Sequence, residues 1–219
     1  LCTVHHDWQV WENVITMIAL AISNVTEYNK EKKEQREKEY QSCIQKLSDK
    51  NEVEKVAALM AIIVNALEEN PEQDFLGQLY MELGLGNHWK GQFFTPYHVA
   101  YAMAELTCKE IKIATNEFIP IHDCCCGAGV TFIAQANMLR KKGIHFQQQA
   151  LFVGQDIDRI AAMMCYIQIS LLGCAGYIVV GNSLSNPIGG TILSPIEKDD
   201  LEIWYTPMFY HVGATSSVV

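Results

Sequence analysis

The sequence predicts an α/β fold: a parallel sheet wrapped by helices, with a helical segment ahead of it. A change of texture along the chain carries that prediction. From residue 7 to about residue 86 apolar residues recur at helical steps. Beyond residue 110 they gather into strand-length runs separated by helical patterns. The expected organisation is a helical N-terminal domain over residues 1–88 and an α/β domain over residues 89–219.

The elements follow in order. Trp8, Trp11, Val14, Ile15, Ile18, Ala19 and Ile22 line one face of a first helix. Residues 29–50 then hold seven of the 16 basic residues, interleaved with Glu31, Glu34, Glu37 and Glu39. This pattern predicts a solvated helix laced with i,i+4 ion pairs. A phosphate-contacting surface is disfavoured because the acids nearly cancel the bases. A helix over residues 52–69 is apolar through Val56, Leu59, Met60, Ile63 and Leu67, and Asn70-Pro71 stops it before a short helix over 72–83. Strands are expected at 118–123, 150–154, 177–180 and 201–205, with helices at 130–142 and 158–172.

Composition narrows the function. Hydrophobic residues make up 49% of the 219 and charged residues 19%, which supports a packed core and excludes a disordered chain or a coiled-coil rod. The formal charge of −9 excludes a sequence-blind basic DNA coat. No positively charged leader opens the sequence and no apolar run reaches membrane-spanning length. The expectation is a cytoplasmic protein with no membrane partner.

The chemistry-bearing residues lie where strands end. The first strand runs into Asp123-Cys124-Cys125-Cys126-Gly127-Ala128-Gly129, and a helix begins near Val130. Glycines at such a turn let backbone approach a ligand, and the helix N-terminus offers unpaired N–H groups. It is not a dinucleotide fingerprint, since Phe132 stands where the third glycine belongs. The second strand ends in Gly154-Gln155-Asp156-Ile157-Asp158, a carboxylate suited to both hydroxyls of a ribose. The third ends in Gly181-Asn182-Ser183-Leu184, polar where an adenine edge would lie. Three polar tips along one sheet edge point to an adenosine-bearing ligand.

These segments, with Gly91-Gln92-Phe93-Phe94-Thr95-Pro96 ahead of them, resemble the N-6 adenine DNA methylases, in particular the modification subunits of type I restriction systems. The resemblance runs over about residues 72–210 and includes four motifs in order. It implies a Rossmann-like S-adenosylmethionine-dependent methyltransferase fold with S-adenosylmethionine as cofactor. Phe93, Phe94, Thr95 and Pro96 would close over the cofactor. Asp123, Cys126, Gly127 and Gly129 would hold its methionine part. Asp156 and Ile157 would meet the ribose, and Asn182, Ser183 and Leu184 the adenine. Asp156 stands where the family has Glu, Asn182 where it often has Asp, and Cys124 where it has Pro. The implied partner is DNA, reached with help from a specificity subunit or another protein, and a homo-oligomer is a further possibility.

One departure matters. The family's (N/D)PP(F/Y) motif accepts hydrogen bonds from the target amine and stacks the flipped base. The expected fourth strand ends instead in Tyr205-Thr206-Pro207-Met208-Phe209. Thr206, Pro207 and Phe209 are the candidate catalytic residues, with Asn186-Pro187 a second candidate on the third strand's exit. The cysteine run is expected to form a thiol-lined turn and no metal site, because tetrahedral ligands are usually spaced. Cys108, Cys165 and Cys174 are expected in helix-face cores, and His122 at a strand end.

Two functions from different classes follow. The first is methyl transfer to the exocyclic amine of adenine in DNA. The second is a non-catalytic S-adenosylmethionine-binding module descended from such an enzyme. Methylation of RNA, protein or a small molecule fits the same motifs, and a nicotinamide dehydrogenase fits them least.

Overall fold

The computed structural model describes residues 7–47, 50–85, 93–109, 111 and 118–216. In chain order its elements are α1 (Asp7–Thr26), α2 (Lys30–Gln45), α3 (Lys50–Glu69), α4 (Phe75–Glu82), α5 (Tyr97–Thr107), β1 (Ile119–Asp123), α6 (Val130–Lys141), α7 (Phe146–Gln149), β2 (Ala150–Asp156), α8 (Arg159–Leu171), β3 (Gly176–Val180), β4 (Gly189–Thr191), β5 (Ser194–Ile196), β6 (Glu202–Tyr205) and α9 (Pro207–Ser216). Side-chain caps start several helices. Asn29 accepts the Glu31 and Lys32 N–H groups, and Asp158 accepts those of Ile160 and Ala161.

The main sheet has the order β1-β2-β3-β6. β1, β2 and β3 are parallel, so their C-terminal ends share one edge. β6 runs antiparallel to β3. The reason is the connection. A parallel neighbour needs a crossover back to the starting edge, but between Val180 and Glu202 the chain makes only the β4–β5 hairpin. It therefore re-enters where it left and runs the other way.

Side chains alternate across the strands and divide the core. Leu151, Val153, Tyr177, Val179 and Ile203 pack on one face with Phe209 of α9. Phe152, Ile178 and Trp204 point to the other face, toward α6 and α8. Helix α8 is buried at every position from Ile160 to Ile169. It needs apolar cover on both sides: the sheet lies on one, and α1 with α4 on the other. The helical segment and the sheet thus share one core, and residue 88 marks a change of pattern rather than a break in packing.

The charged helix differs from its expectation. Much of α2 is exposed, as expected, but Arg36 is buried. Its guanidinium pairs with Glu27 at 2.7 Å, donates to the Ser23 hydroxyl and to the Ile203 carbonyl at 3.0 Å, and lies 4.5 Å from the centre of the Trp204 ring. The planar, always-charged head can serve all four partners at once. Farther out, Lys32 pairs with Glu197, while Glu39 and Glu202 share Arg159. The helix is bolted to α1, α8 and β6 within the chain.

Removing one partner of a buried pair strands the other charge, typically at a cost of about 3–5 kcal/mol. Arg36→Met is expected to lower the unfolding free energy by that amount in urea titrations. Lys32→Ala, at a half-exposed pair, is expected to change it by less than about 1 kcal/mol.

Candidate functional site

The site is built on the tips of β1, β2 and β3. Asp123 ends β1, and its two carboxylate oxygens accept the Cys125 N–H at 2.9 Å and the Thr131 hydroxyl at 2.5 Å. The aspartate thereby ties the turn to the first turn of α6. Gly127 and Gly129 take positive φ of 53° and 97°, where a side chain is strained. A Cβ on Gly129 would lie 2.7 Å from the Cys165 sulfur of α8, and one on Gly127 3.2 Å from the Phe94 ring. Sequence alone explains neither glycine so specifically: one seats the turn on α8, the other admits Phe94 from the segment ahead of α5.

Asp156 ends β2 between two backbone donors. One oxygen accepts the Gly127 N–H at 2.8 Å and the other the Asp158 N–H at 2.9 Å. An ionised carboxylate offers about four acceptor positions. Two are spent aiming the group, and two remain for further donors. Burial raises the Asp156 pKa from the ordinary aspartate value; the two N–H donors pull it back, while the Asp158 and Asp123 charges add to the rise. At the third tip, the Asn182 side-chain oxygen accepts the Leu184 and Ser185 N–H groups and shapes the turn.

The structure thus brings Asp123, Gly127, Gly129, Asp156, Ile157, Asn182, Ser183 and Leu184 to one edge. Ile157 and Leu184 are 70% and 93% exposed, apolar surface beside the polar tips. Phe94 reaches the turn while packing on Tyr80, and Pro96 N-caps α5; Phe93 and Thr95 are exposed. Gly91 and Gln92 lie outside the described residues. Cys126 differs from expectation: its thiol is turned beneath the turn, against Cys165 and toward Gly154, so it presents only backbone to the edge.

The catalytic assignment is corrected. Because β6 is antiparallel, Thr206 follows its far end, beside Gly176 at the start of β3 and across the sheet from the tips. Thr206 is 0% exposed; its hydroxyl donates to the Cys174 carbonyl at 2.8 Å and accepts the Gly176 N–H at 3.1 Å. Pro207 starts α9, and Phe209 packs on Tyr177 and Tyr205 in the core. These residues hold the sheet's lower edge and do not meet the edge where the three strand tips gather. Asn186 lies on the correct edge, but its oxygen accepts from Lys198 at 2.5 Å and its amide donates to Asp200 at 2.7 Å.

Sequence reasoning missed a buried polar hub beneath the turn. Gln168 of α8 is 0% exposed. Its amide nitrogen donates to the Ala128 carbonyl at 2.9 Å and to Asp74 at 2.7 Å, and its oxygen accepts the Leu76 N–H at 3.1 Å. Asp74, the N-cap of α4, is 2% exposed and also accepts the Gly77 N–H. Its partners there are neutral, and burial raises its pKa. The available signal was a lone amide between Ile167 and Ile169 in an apolar helix.

Comparison with known proteins adds the family. A model of the N-6 DNA methylase family matches residues 71–194, more than half of the chain. The chain belongs to the N-6 DNA methylase family. No curated protein matches it. A solved structure from Listeria monocytogenes, assigned as a class I S-adenosylmethionine-dependent methyltransferase, is 14% identical over 94% of this chain and 70% of its own, with a TM-score of 0.40. Family membership makes this a methyltransferase-type α/β fold with S-adenosylmethionine as its cofactor. The residues fit that group: a carboxylate with two acceptor positions to spare, a glycine turn with close backbone approach, and polar tips beside it.

Three outcomes are expected. Gln168→Leu leaves the Leu76 N–H, the Ala128 carbonyl and one Asp74 bond unpaired, at about 1–3 kcal/mol for each group, and urea unfolding reads the loss. Thr206→Val destabilises by about 1–3 kcal/mol but leaves cofactor affinity intact in calorimetric titration. A diol donates best to ionised Asp156, so affinity holds above that group's raised pKa and falls as pH drops through it. Titrations across pH check this, and Asp156→Asn flattens the profile.

Proposed function

We propose that the chain binds S-adenosylmethionine at the β1–β2–β3 edge and serves methyl transfer to the exocyclic amine of adenine in DNA, as a restriction-modification-type methylase or a subunit of one. The observation that carries the reading is Asp156, held between the Gly127 and Asp158 amides at the tips of three parallel strands. In this reading the Asp156 carboxylate accepts the ribose hydroxyls. The turn from Asp123 to Gly129 and the α6 N-terminus receive the amino-acid end. Phe94 covers the turn, and Asn182, Ser183 and Leu184 flank the adenine. The bound cofactor supplies an activated methyl group, and the chain's task is placement of donor and acceptor.

Among the described residues, the expected acceptors for the target amine do not stand free at the edge. Thr206–Phe209 sit across the sheet, and the Asn186 oxygen is engaged by Lys198. Residues 91–219 hold seven Lys and Arg against ten Asp and Glu, a poor surface for gripping a polyanion. Both facts favour a partner, such as a specificity subunit or a second copy of the chain, that brings DNA and completes the acceptor site. Among the described residues no helix is long and apolar enough to cross a membrane, and we place the chain's work in the cytoplasm.

The same displaced Thr206 supports a second reading, a module that binds the cofactor without transferring its methyl group. Transfer of labelled methyl to unmethylated DNA, with nucleoside analysis, separates the two. Label in N-6-methyladenine supports the enzyme. Cofactor binding without label, even with candidate partner subunits added, supports the module. Asp156→Ala is expected to weaken cofactor binding by about 1.5–3 kcal/mol, as loss of a charge-assisted hydrogen bond does; an unchanged isotherm would move the site elsewhere.

A further inference from the structure

The run Cys124-Cys125-Cys126 has no part in the cofactor contacts described above beyond its backbone, and its three thiols have different surroundings. Cys126 is buried and touches Cys165 beneath the turn, whereas Cys124 and Cys125 are exposed. The Cys125 thiol lies within hydrogen-bonding reach of the Cys124 thiol and of the Ser183 hydroxyl, with the Asp156 carboxylate nearby. Two solvent-facing thiols therefore meet between the first and third strand tips, at the mouth of the crevice.

The ligand that suits them can be chosen by elimination. Structural metal sites use about four ligands, and among the described residues no group of three or more His, Cys, Asp or Glu is placed to hold an ion. A direct disulfide fits poorly: consecutive Cα atoms are about 3.8 Å apart, short of the roughly 4.4–6.8 Å that disulfides span. One larger bridging atom removes that conflict.

We infer that Cys124 and Cys125 form a dithiol site that captures a monosubstituted trivalent arsenical, and that the adduct closes the crevice to the cofactor. The second half rests on the cofactor placement proposed above. In the capture step the two S–H bonds and the arsenic–oxygen double bond of R–As=O give way to two As–S bonds and one water. The two thiol protons leave on that oxygen, arsenic stays trivalent, and no oxidant or reductant is needed. The organic substituent fills arsenic's third position, so the inward-turned Cys126 is not required. Burial, the Cys124 contact and the Asp156 charge hold the Cys125 thiol above its ordinary pKa. Attack on peroxide requires thiolate and is slowed by this; condensation with the arsenical consumes two protonated thiols overall and releases no proton, so the raised pKa does not weaken the adduct at equilibrium.

Phenylarsine oxide is the probe, added to the full chain and followed by intact mass and peptide mapping. The expected result is one phenylarsenical per chain at Cys124 and Cys125, stable to a monothiol and released by a small dithiol. Cys124→Ser and Cys125→Ser should each capture at least tenfold less. Calorimetric titration of the same samples with S-adenosylmethionine should show at least tenfold weaker binding in the adduct. Arsenical should have no effect on cofactor binding by Cys124→Ser. Adduct mapped elsewhere, or insensitive to both substitutions, overturns the site. Adduct at the pair with undiminished cofactor binding overturns the closure. If the untreated chain fails to bind cofactor, the cofactor placement falls and the closure with it, while the mass and mapping data still decide the dithiol.

Discussion

Helix α8 has no side for water, and the rest of the structure answers to that constraint. A helix buried all round must be packed on two sides, so the sheet alone cannot accommodate it. The N-terminal helices supply the second cover through α1 and α4. The candidate site is mounted on the same helix. Asp158 caps it, Cys165 sets how closely the glycine turn can approach, and Gln168 holds the turn from below. The geometry of the candidate site and the packing of the N-terminal segment are therefore parts of one arrangement.

The connection between β3 and β6 has comparable reach. With only a short hairpin between them, β6 is obliged to run back along β3. This carries Thr206 to the sheet's opposite edge and presents Glu202 near the tips, where Arg159 joins it to Glu39 of α2. The charged helix is thus fastened near the strand tips by paired charges and by Arg36 against Trp204. Its basic residues are in part committed to the chain's own acids.

What the sequence made legible was local. Apolar runs ending in glycine and acid located the strand tips, because those residue types are required where a strand gives way to a ligand turn. Relations between distant segments were not legible. Nothing near Arg36 separates it from the other bases of its helix; its burial depends on Glu27 and Trp204, which the fold brings to it. The direction of β6 is set by the missing crossover, and the absence of a helical period between Val180 and Glu202 was the signal to weigh. Motif alignment instead placed Thr206 by its neighbours in sequence, and the sheet separated it from them in space. Helix α5 went unread because Tyr97–Thr107 presents much apolar surface outward, blurring its period.

The Gln168 hub also joins events that would otherwise be independent. The first turn of α4 and the Ala128 carbonyl hang on one side-chain amide. Neither can release it into the interior without stranding the other's polar groups, so local opening of the two segments becomes a single cooperative step. In hydrogen-exchange terms, the Leu76 and Gly77 amides and those of the glycine turn form one unit with a shared opening free energy. A ligand that steadies the turn would then slow exchange at the start of α4, a segment it never touches.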